Sequence, residues 1–289
     1  MHYEGNIIRP PSEANSIILQ VTVGCSHNRC SFCGAYQGLP FRIKENEIID
    51  EDLRFAAQYC VRQKKVFLAD GDVLSLSQTR LIKILTDIKR CLPWVNRVSL
   101  YGNAKNIRHK SVTQLRELKK LGLDRIYMGL ESGHDPTLSF IRKGTNRENM
   151  IDAARRINNA GLFLSVTVLL GVAGTQLSQD HARDTGEVLT FMNPNQIGIL
   201  TLMLLPGTPL HDQHEIGTFL LPDKRGILRE LKTMIEHIHL EKAQIQTNHA
   251  SNYLSFNCRF PRDKQQVLQT IDQALSGHIV LKPESLRAL

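Results

Sequence analysis

Short apolar runs alternate with longer amphipathic stretches along most of the chain. The runs are rich in β-branched residues, which is typical of strands buried on both faces of a parallel sheet. The amphipathic stretches are long enough for helices. The predicted strands are 16–23, 65–69, 97–101, 125–130, 164–170 and 196–203. The predicted helices are 47–62, 78–91, 111–122, 149–160, 178–192 and 224–242.

Two helix starts carry capping signals. Ser111 followed by Gln114 predicts a capping box, and Thr145 followed by Glu148 predicts a second one before the helix 149–160. Glycine follows each of these helices, as expected for a left-handed helix end.

The alternation of strands and helices repeats at intervals of roughly thirty residues, which predicts an α/β protein with a parallel sheet and outer helices. An open doubly wound sheet and a partial barrel give the same alternation, so periodicity does not separate them. Residues 1–15 are polar and contain proline, and they predict an N-terminal arm before a core of residues 16–245. After Thr247 the chain turns polar, and one further helix is predicted at 262–275. We expect residues 246–289 to form a small extension that covers the open side of the core.

Composition adds a broad class. A hydrophobic content of 42% and a charged content of 22% are those of a globular protein. No apolar run reaches membrane-spanning length and no signal-peptide pattern opens the sequence, so a cytoplasmic location is expected. The net charge of +8 would suit an anionic partner such as nucleic acid. The basic residues are dispersed, however, which favours solvated helix faces and leaves nucleic acid a less favoured partner.

Three of the six cysteines, Cys25, Cys30 and Cys33, fall within nine residues directly after the first predicted strand. A disulfide would leave one thiol over and is unusual without a secretory signal. A structural zinc site normally needs a fourth ligand, and no Cys or His stands at finger spacing. Thiolates otherwise favour an iron–sulfur cluster. Three ligands on a four-iron cluster would leave one iron open to another molecule.

This stretch resembles the cluster loop of the radical S-adenosylmethionine (radical SAM) superfamily, in its coproporphyrinogen-oxidase-like and Elongator-like branch. The spacing here is C-x4-C-x2-C, one residue longer than the commonest form. The resemblance implies a partial (βα)6 TIM-like barrel, a 4Fe-4S cluster held by the three cysteines, and S-adenosylmethionine (SAM) bound at the open iron. It also implies that Phe32 lies beside the adenine.

Strand ends further along the chain match other motifs of this family. Asp70, Gly71 and Asp72 follow the second strand, where the family binds the SAM amino group. Glu131 and Ser132 stand in a stretch resembling the family's ribose-binding segment. Arg142 or Lys143 would pair with the SAM carboxylate. Gly171 begins a turn like the family's adenine shelf. The turn 205–209 resembles the branch's PGTP motif.

Two residues of the tail are candidates for catalysis. A thiol or a phenol near the substrate could donate a hydrogen atom to a product radical, and Cys258 and Tyr253 are the residues of these types that a capping tail could place there.

The activity implied by the resemblance is reductive cleavage of SAM to a 5′-deoxyadenosyl radical, which abstracts hydrogen from a substrate, expected to be a small molecule. A flavodoxin-like or ferredoxin-like electron donor would be the partner. Alternatives are an RNA- or peptide-modifying radical SAM enzyme, an iron–sulfur electron carrier without SAM chemistry, and a zinc protein. No second cysteine cluster follows Cys33, which disfavours enzymes with auxiliary clusters.

Overall fold

A computed structural model describes residues 1–288. The chain folds as two units. The first comprises Met1–Asn28, Ala35–Met128 and Arg155–Leu164. The second comprises Arg29–Gly34, Gly129–Ala154 and Ser165–Leu289.

Strands and helices alternate through both units. The strands are β1 Ile17–Gln20, β2 Thr22–Val23, β3 Arg42–Ile43, β4 Lys65–Ala69, β5 Arg97–Tyr101, β6 Leu123–Glu131, β7 Phe163–Leu170, β8 Gln196–Thr201, β9 Ala243–Gln246 and β10 Asn257–Phe260. The helices are α1 Asn46–Tyr59, α2 Gln78–Cys91, α3 Ala104–Arg108, α4 Val112–Lys120, α5 Asp135–Phe140, α6 Arg147–Asn159, α7 Ser178–Met192, α8 Pro209–Glu215, α9 Lys224–His237 and α10 Lys264–Leu275.

In the first unit, β1, β4, β5 and β6 lie side by side in that order and run parallel. Leu19 is level with Leu68, and Leu68 is level with Leu100. These apolar residues are almost fully buried, as expected for parallel strands covered on both faces. The same register brings Val21 and Asp70, which directly follow β1 and β4, to the same end of the sheet.

The first predicted strand, 16–23, is two strands separated at Val21. β1 pairs with β4, whereas β2 pairs antiparallel with β3 in a separate two-stranded sheet. At the break, the Val21 amide donates to the Ala69 carbonyl, and the Val21 carbonyl accepts from the Lys44 amide. The chain therefore enters the cysteine loop from the small sheet rather than directly from β1.

The N-terminal arm contributes a charged residue to the interior of the first unit. The Glu13 side chain is fully buried and accepts from Arg97, from the Tyr127 hydroxyl at 2.6 Å and from the Ser16 hydroxyl at 2.6 Å. Although burial acts to raise the pKa of Glu13, these partners outweigh it and lower that pKa. The arm is thereby joined to the middle of the sheet by a satisfied buried carboxylate.

In the second unit, β7 pairs parallel with β8, and β8 pairs parallel with β9. β10 adds to β9 in the antiparallel direction. Helices α7 and α9 pack closely because Gly186 has no side chain: a Cβ there would lie 2.7 Å from the Cβ of His237. An apolar cluster lies beyond the ends of β7 and β8 and consists of Ile141, Leu169, Val172, Leu202, Leu210 and Phe219.

The predicted α/β class with a mostly parallel sheet is confirmed, and the bounds of β4, β5, α2 and α7 match the predicted ones. The predicted capping box at Thr145 is wrong. The side chain of Asn146 accepts from the Asn149 amide, so α6 begins two residues earlier, at Arg147. The capping box of Ser111 and Gln114 is confirmed. Six of the labelled elements have no counterpart in the predicted set: β3, α3, α5, α8, β9 and β10. The division into core 16–245 and extension 246–289 stays a prediction.

Between residues 1 and 288, no helix is both long enough and apolar enough to cross a membrane.

Candidate active site

The first half of the cysteine loop is fixed against the turn that follows β4. The Gly24 amide donates to the Asp70 carboxylate at 3.2 Å, and the Gly71 amide donates to the Gly24 carbonyl at 3.2 Å. A Cβ on Gly71 would lie 3.0 Å from the Cβ of Cys25 and 2.8 Å from Cε2 of Tyr36. Glycine is thus favoured at position 71 because the side chains of Tyr36 and Cys25 lie so close to it.

Asp70 and Asp72 are both fully buried and have protein partners. Asp70 accepts from the side-chain amide of Gln20 at 2.9 Å, besides the Gly24 amide. Burial raises the pKa of Asp70, although its hydrogen bonds act in the opposite direction. The contacts of Asp70 stabilise the loop, and its predicted role toward the SAM amino group stays a prediction.

Asp72 is the centre of a second set of hydrogen bonds. It accepts from the hydroxyl of Ser26 at 2.5 Å, the side-chain amide of Asn103 at 2.6 Å and that of Asn106 at 2.5 Å. Burial raises the pKa of Asp72 despite these donors. Asn103 and Asn106 belong to α3 and its N-cap, which the sequence analysis did not predict, and they hold Ser26 beside Asp72.

The second half of the loop is held by the second unit. The Ser31 amide donates to the Ile141 carbonyl at 2.9 Å, and the Ser31 carbonyl accepts from the Leu210 amide at 2.9 Å. Phe32 is half-buried and packs against the apolar cluster that contains Ile141 and Leu210. The Cys33 amide closes a turn onto the Cys30 carbonyl at 3.2 Å. These backbone bonds fix both cysteines in place, and the predicted contact of Phe32 with adenine stays a prediction.

A largely buried charge pair of the second unit lies near these thiols. Nζ of Lys143 donates to Oε1 of Glu131 at 2.9 Å. Burial acts to lower the pKa of Lys143, but Glu131, Cys30 and Cys33 outweigh it and raise that pKa, so the side chain stays an ammonium. Arg142 is exposed. Of the two basic candidates, Lys143 is therefore the one turned toward Glu131 and the cysteines.

The remaining predicted contacts fall into a buried network. Ser132 is fully buried, with its hydroxyl 2.7 Å from Nδ1 of His181. Gly171 has φ = +82°, and its amide donates to the Glu230 carboxylate at 2.6 Å. The sequence analysis did not identify Glu230, since nothing in the amphipathic pattern of α9 distinguishes a buried carboxylate from a solvated one.

The two hydrogen-donor candidates have structural partners. Cys258 is buried in β10 with its thiol directed at the Ile245 carbonyl, and burial raises its pKa to about 11. The Tyr253 hydroxyl contacts Glu284 at 2.7 Å and Arg287 at 2.5 Å, and burial raises its pKa to about 12. These contacts favour structural roles, and hydrogen donation by either residue stays a prediction.

The donor chemistry of the loop suits an iron–sulfur cluster. Cys25, Cys30 and Cys33 are half-buried thiols outside any disulfide, and the Lys143 ammonium near two of them favours the thiolate form that binds iron. Within residues 1–288, no three His, Cys, Asp or Glu side chains are gathered in an arrangement that could already hold a metal ion. The assignment of the three cysteines as ligands stays a prediction, and one that their chemistry supports.

Comparisons with known proteins give the family. Residues 19–185 match the model of the radical SAM superfamily, which is more than half of the chain. A curated relative, the tRNA uridine(34) acetyltransferase of Methanocaldococcus infernus, is 26% identical over 112 residues, which make up 38% of this chain and 21% of that protein. The chain spans less than half the length of several curated relatives that it matches.

Solved structures of low identity share the fold. Coproporphyrinogen III oxidase from Escherichia coli, a radical SAM enzyme, superposes with a TM-score of 0.57 at 14% identity, covering 76% of this chain and 51% of that one. The archaeal Elp3 of Methanocaldococcus infernus, an Elongator-like neighbour, gives a TM-score of 0.51 at 12% identity, covering 92% and 64%. These likenesses confirm the predicted match to a partial TIM-like barrel. The chain belongs to the radical SAM superfamily, and it is an enzyme whose cofactors are a 4Fe-4S cluster and S-adenosylmethionine.

Proposed function

We propose that this enzyme binds a 4Fe-4S cluster through Cys25, Cys30 and Cys33, cleaves SAM reductively there, and acts on a small-molecule substrate. The observation that carries the proposal is the placement of the Lys143–Glu131 pair near Cys30 and Cys33. It combines thiolates for iron with a fixed ammonium and a carboxylate for a zwitterionic ligand. When bound, the cluster and SAM supply a 5′-deoxyadenosyl radical that can abstract hydrogen from an unactivated carbon.

The charge pair suits the ends of SAM. The Lys143 ammonium is able to donate to the SAM carboxylate while it keeps Glu131 as a partner, because an ammonium has three donors. Glu131 accepts hydroxyl donors such as those of ribose through its second oxygen. Glu131 adopts φ = +62°, a conformation that is uncommon for a residue with a side chain and that clusters at ligand sites.

The glycine turn after β7 suits adenine. Gly171 and Gly174 both have positive φ, so the turn 171–174 presents backbone groups without side chains in the way. A base can be recognised by such backbone groups. The tight turn after β4 accepts hydrogen bonds from the amino group of SAM through the carbonyl groups beside Gly71.

The attachment of the tail to the end of β8 supports a small-molecule substrate. Asn252 in the tail donates to the Ile199 carbonyl at 2.7 Å and accepts from the Thr201 hydroxyl at 2.8 Å. Arg287 donates to the Leu202 carbonyl at 3.0 Å. The tail is thereby fastened across the end of β8, which narrows that edge of the site and favours a small substrate over a wide macromolecular one.

A second candidate function is modification of RNA, and one surface feature favours it. A hollow of about 400 Å³ is lined by Arg62, Lys64 and Lys65 together with Gln63 and residues 14–16. No carboxylate is among these lining residues. The hollow lies where β1 and β4 begin, about 15 Å from their other ends, and such a cationic hollow suits a phosphate backbone.

The deciding experiment is anaerobic. The purified protein is reconstituted with iron and sulfide, reduced, and given SAM, and 5′-deoxyadenosine is measured by chromatography, with Cys30→Ala as the control. Formation of 5′-deoxyadenosine in the wild type but not in Cys30→Ala supports the proposal. Absence of 5′-deoxyadenosine from a wild-type protein that carries a full cluster overturns the proposal. The enzyme needs an electron donor, and we propose a flavodoxin-like or ferredoxin-like protein in that role.

The RNA candidate has its own test. Binding of a labelled oligoribonucleotide is measured between 50 and 200 mM salt for the wild type and for Lys64→Ala with Lys65→Ala. The RNA function predicts a steep salt dependence that the double variant reduces by a slope of about two. Equal slopes for both proteins would contradict the RNA function, and the small-molecule function would then be the one proposal that stands.

A further inference from the structure

A carboxylate deep in the second unit connects three segments of the chain. Glu230 on α9 is fully buried. One of its oxygens accepts from the Gly171 amide at 2.6 Å, and the other accepts from the Ser178 hydroxyl at 2.5 Å. Gly171 directly follows β7 and Ser178 begins α7, so Glu230 holds both ends of the turn between them.

A histidine lies between the same carboxylate and the end of β6, in contact with Glu230 but without a hydrogen bond to it. Nε2 of His181 lies 3.4 Å from Oε1 of Glu230, and Nδ1 of His181 lies 2.7 Å from the Ser132 hydroxyl. Next in the chain, the Gly133 amide donates to the Thr185 hydroxyl at 2.8 Å. A Cβ on Gly133 would lie 2.5 Å from the Asp184 carbonyl oxygen, so the segment after β6 lies directly on α7.

The order Ser132, His181, Glu230 is that of a hydrolytic triad, but the burial excludes that role. All three residues are fully buried, and the Ser132 hydroxyl also accepts from the His134 amide at 3.0 Å. A nucleophile must be reachable by its substrate. The connection is therefore a structural relay between strand ends.

A buried carboxylate is costly unless its neighbours compensate for it. Across the described residues, the basic side chain that lies within 4 Å of Glu230 is the imidazole of His181, and no lysine or arginine pairs with this carboxylate. The donors that compensate for the charge are the Gly171 amide and the Ser178 hydroxyl. An apolar residue at position 230 would leave the Gly171 amide without its acceptor. The Glu230 carboxylate therefore fixes the turn 171–177.

We propose that Glu230, acting with His181, is a positioning residue for SAM: it fixes the turn that begins at Gly171 in register with the segment Glu131–Ser132. The inference rests on the proposed function, in which these two segments contact SAM. Glu230 itself does not touch the ligand. It sets the shape of the pocket before SAM arrives, so its loss should weaken binding rather than slow the step that follows binding.

The test uses the reconstituted holoenzyme and three variants. Glu230→Ala removes both acceptors, and we expect the Kd for SAM to rise about tenfold. Glu230→Gln keeps an acceptor for Gly171 and should stay within about threefold of the wild type. Glu236→Ala removes a half-exposed carboxylate from the same helix and should leave the Kd unchanged.

Three further readouts separate positioning from a general loss of structure. Iron content per chain and the rate of 5′-deoxyadenosine formation at saturating SAM should be unchanged in Glu230→Ala. Hydrogen exchange of the peptide 171–177 should be faster in this variant without SAM and slow down on binding. His181→Ala removes the contact with Ser132 and should raise the Kd for SAM about threefold. This variant takes the place of Glu230→Ala in the test if Glu230→Ala does not fold.

Each result decides something. An unchanged SAM Kd in Glu230→Ala or, where that variant is lost, in His181→Ala overturns the positioning role while leaving the proposed function intact. A wild-type holoenzyme that binds no SAM overturns both. A drop in iron content equal to the loss of SAM binding would show that Glu230 only supports the fold.

Discussion

Nζ of Lys143 lies 2.9 Å from Oε1 of Glu131, twelve residues earlier in the chain, while its neighbour Arg142 is exposed. The pair joins the end of β6 to the segment after α5, and its side chains are 16% and 12% exposed. A cation and an anion are thereby fixed in advance near two cysteines.

Lys143→Met should weaken SAM binding by about tenfold or more, because it removes the ammonium and leaves Glu131 without its partner. Arg142→Met is the matched control and should change the Kd less than twofold. Equilibrium binding of SAM to the reconstituted protein measures both. Equal losses in the two variants would contradict the assignment of Lys143.

The pair also predicts a dependence of stability on pH. The pKa of Lys143 is raised in the folded protein, so its contribution is fully present below the unfolded value of about 10.4 and is lost as the pH rises through the folded value. The difference in unfolding free energy between the wild type and Lys143→Met should be constant from about pH 7 to 10 and shrink above that. Urea titrations at several pH values would show it, and a difference that grows above pH 10 would refute it.

Gly71→Ala should displace the cysteine loop. The new Cβ would lie 2.8 Å from Tyr36 and 3.0 Å from Cys25, distances that force the loop to move. We expect iron content after reconstitution to fall to less than half, with the helical circular dichroism signal kept. Gly198→Ala is the control, since its Cβ would meet only Leu200, at 4.0 Å. Normal iron loading of Gly71→Ala would show that the close approach has no importance for the cluster.

Cys258→Ala should leave the formation of 5′-deoxyadenosine and of product unchanged. The thiol is buried and directed at a backbone carbonyl of β9, so its removal costs stability, about 1 kcal/mol, rather than turnover. Tyr253→Phe is the companion variant. Product analysis of both variants tests whether either side chain donates a hydrogen atom. A variant that still forms 5′-deoxyadenosine but accumulates an unquenched or altered product would restore hydrogen donation.

Arg287→Ala should destabilise the second unit by about 3 kcal/mol, because one buried guanidinium donates to two carbonyls and stacks 4.2 Å from the Tyr253 ring. Arg287→Lys should recover little of this, since an ammonium cannot reproduce the planar fork. Arg262→Ala, which removes an exposed ion pair, should leave the unfolding free energy nearly unchanged. Chemical denaturation measures the unfolding free energy of the three variants. An Arg287→Ala variant as stable as the wild type would contradict the stabilising role of Arg287 in the tail.

The parts of the fold that the sequence predicted are those where one local signal dominates. β4 and β5 are uninterrupted buried runs, and α2 has a strong apolar stripe with a serine cap, so their bounds could be predicted to the residue. The split at Val21 could not be predicted, because the run 16–23 is mostly apolar and β-branched and only the pairing with Ala69 and Lys44 divides it.

The candidate site shows the same limit. The cysteines and Glu131 stand out by spacing and by position at a strand end. Whether Arg142 or Lys143 turns inward depends on the backbone after α5, where Arg142 has φ = +54°. Glu230 is separated from Gly171 by 59 residues, so only the folded chain brings them together. Local patterns carry no information about such long-range partners.

The buried Glu13 has a practical consequence for work with this protein. The first fifteen residues are polar and contain proline, and a designer of shortened variants would remove them first. Doing so would take away the acceptor of Arg97 and of the Tyr127 hydroxyl in the middle of the sheet. Deletion variants that begin near residue 16 should therefore express poorly.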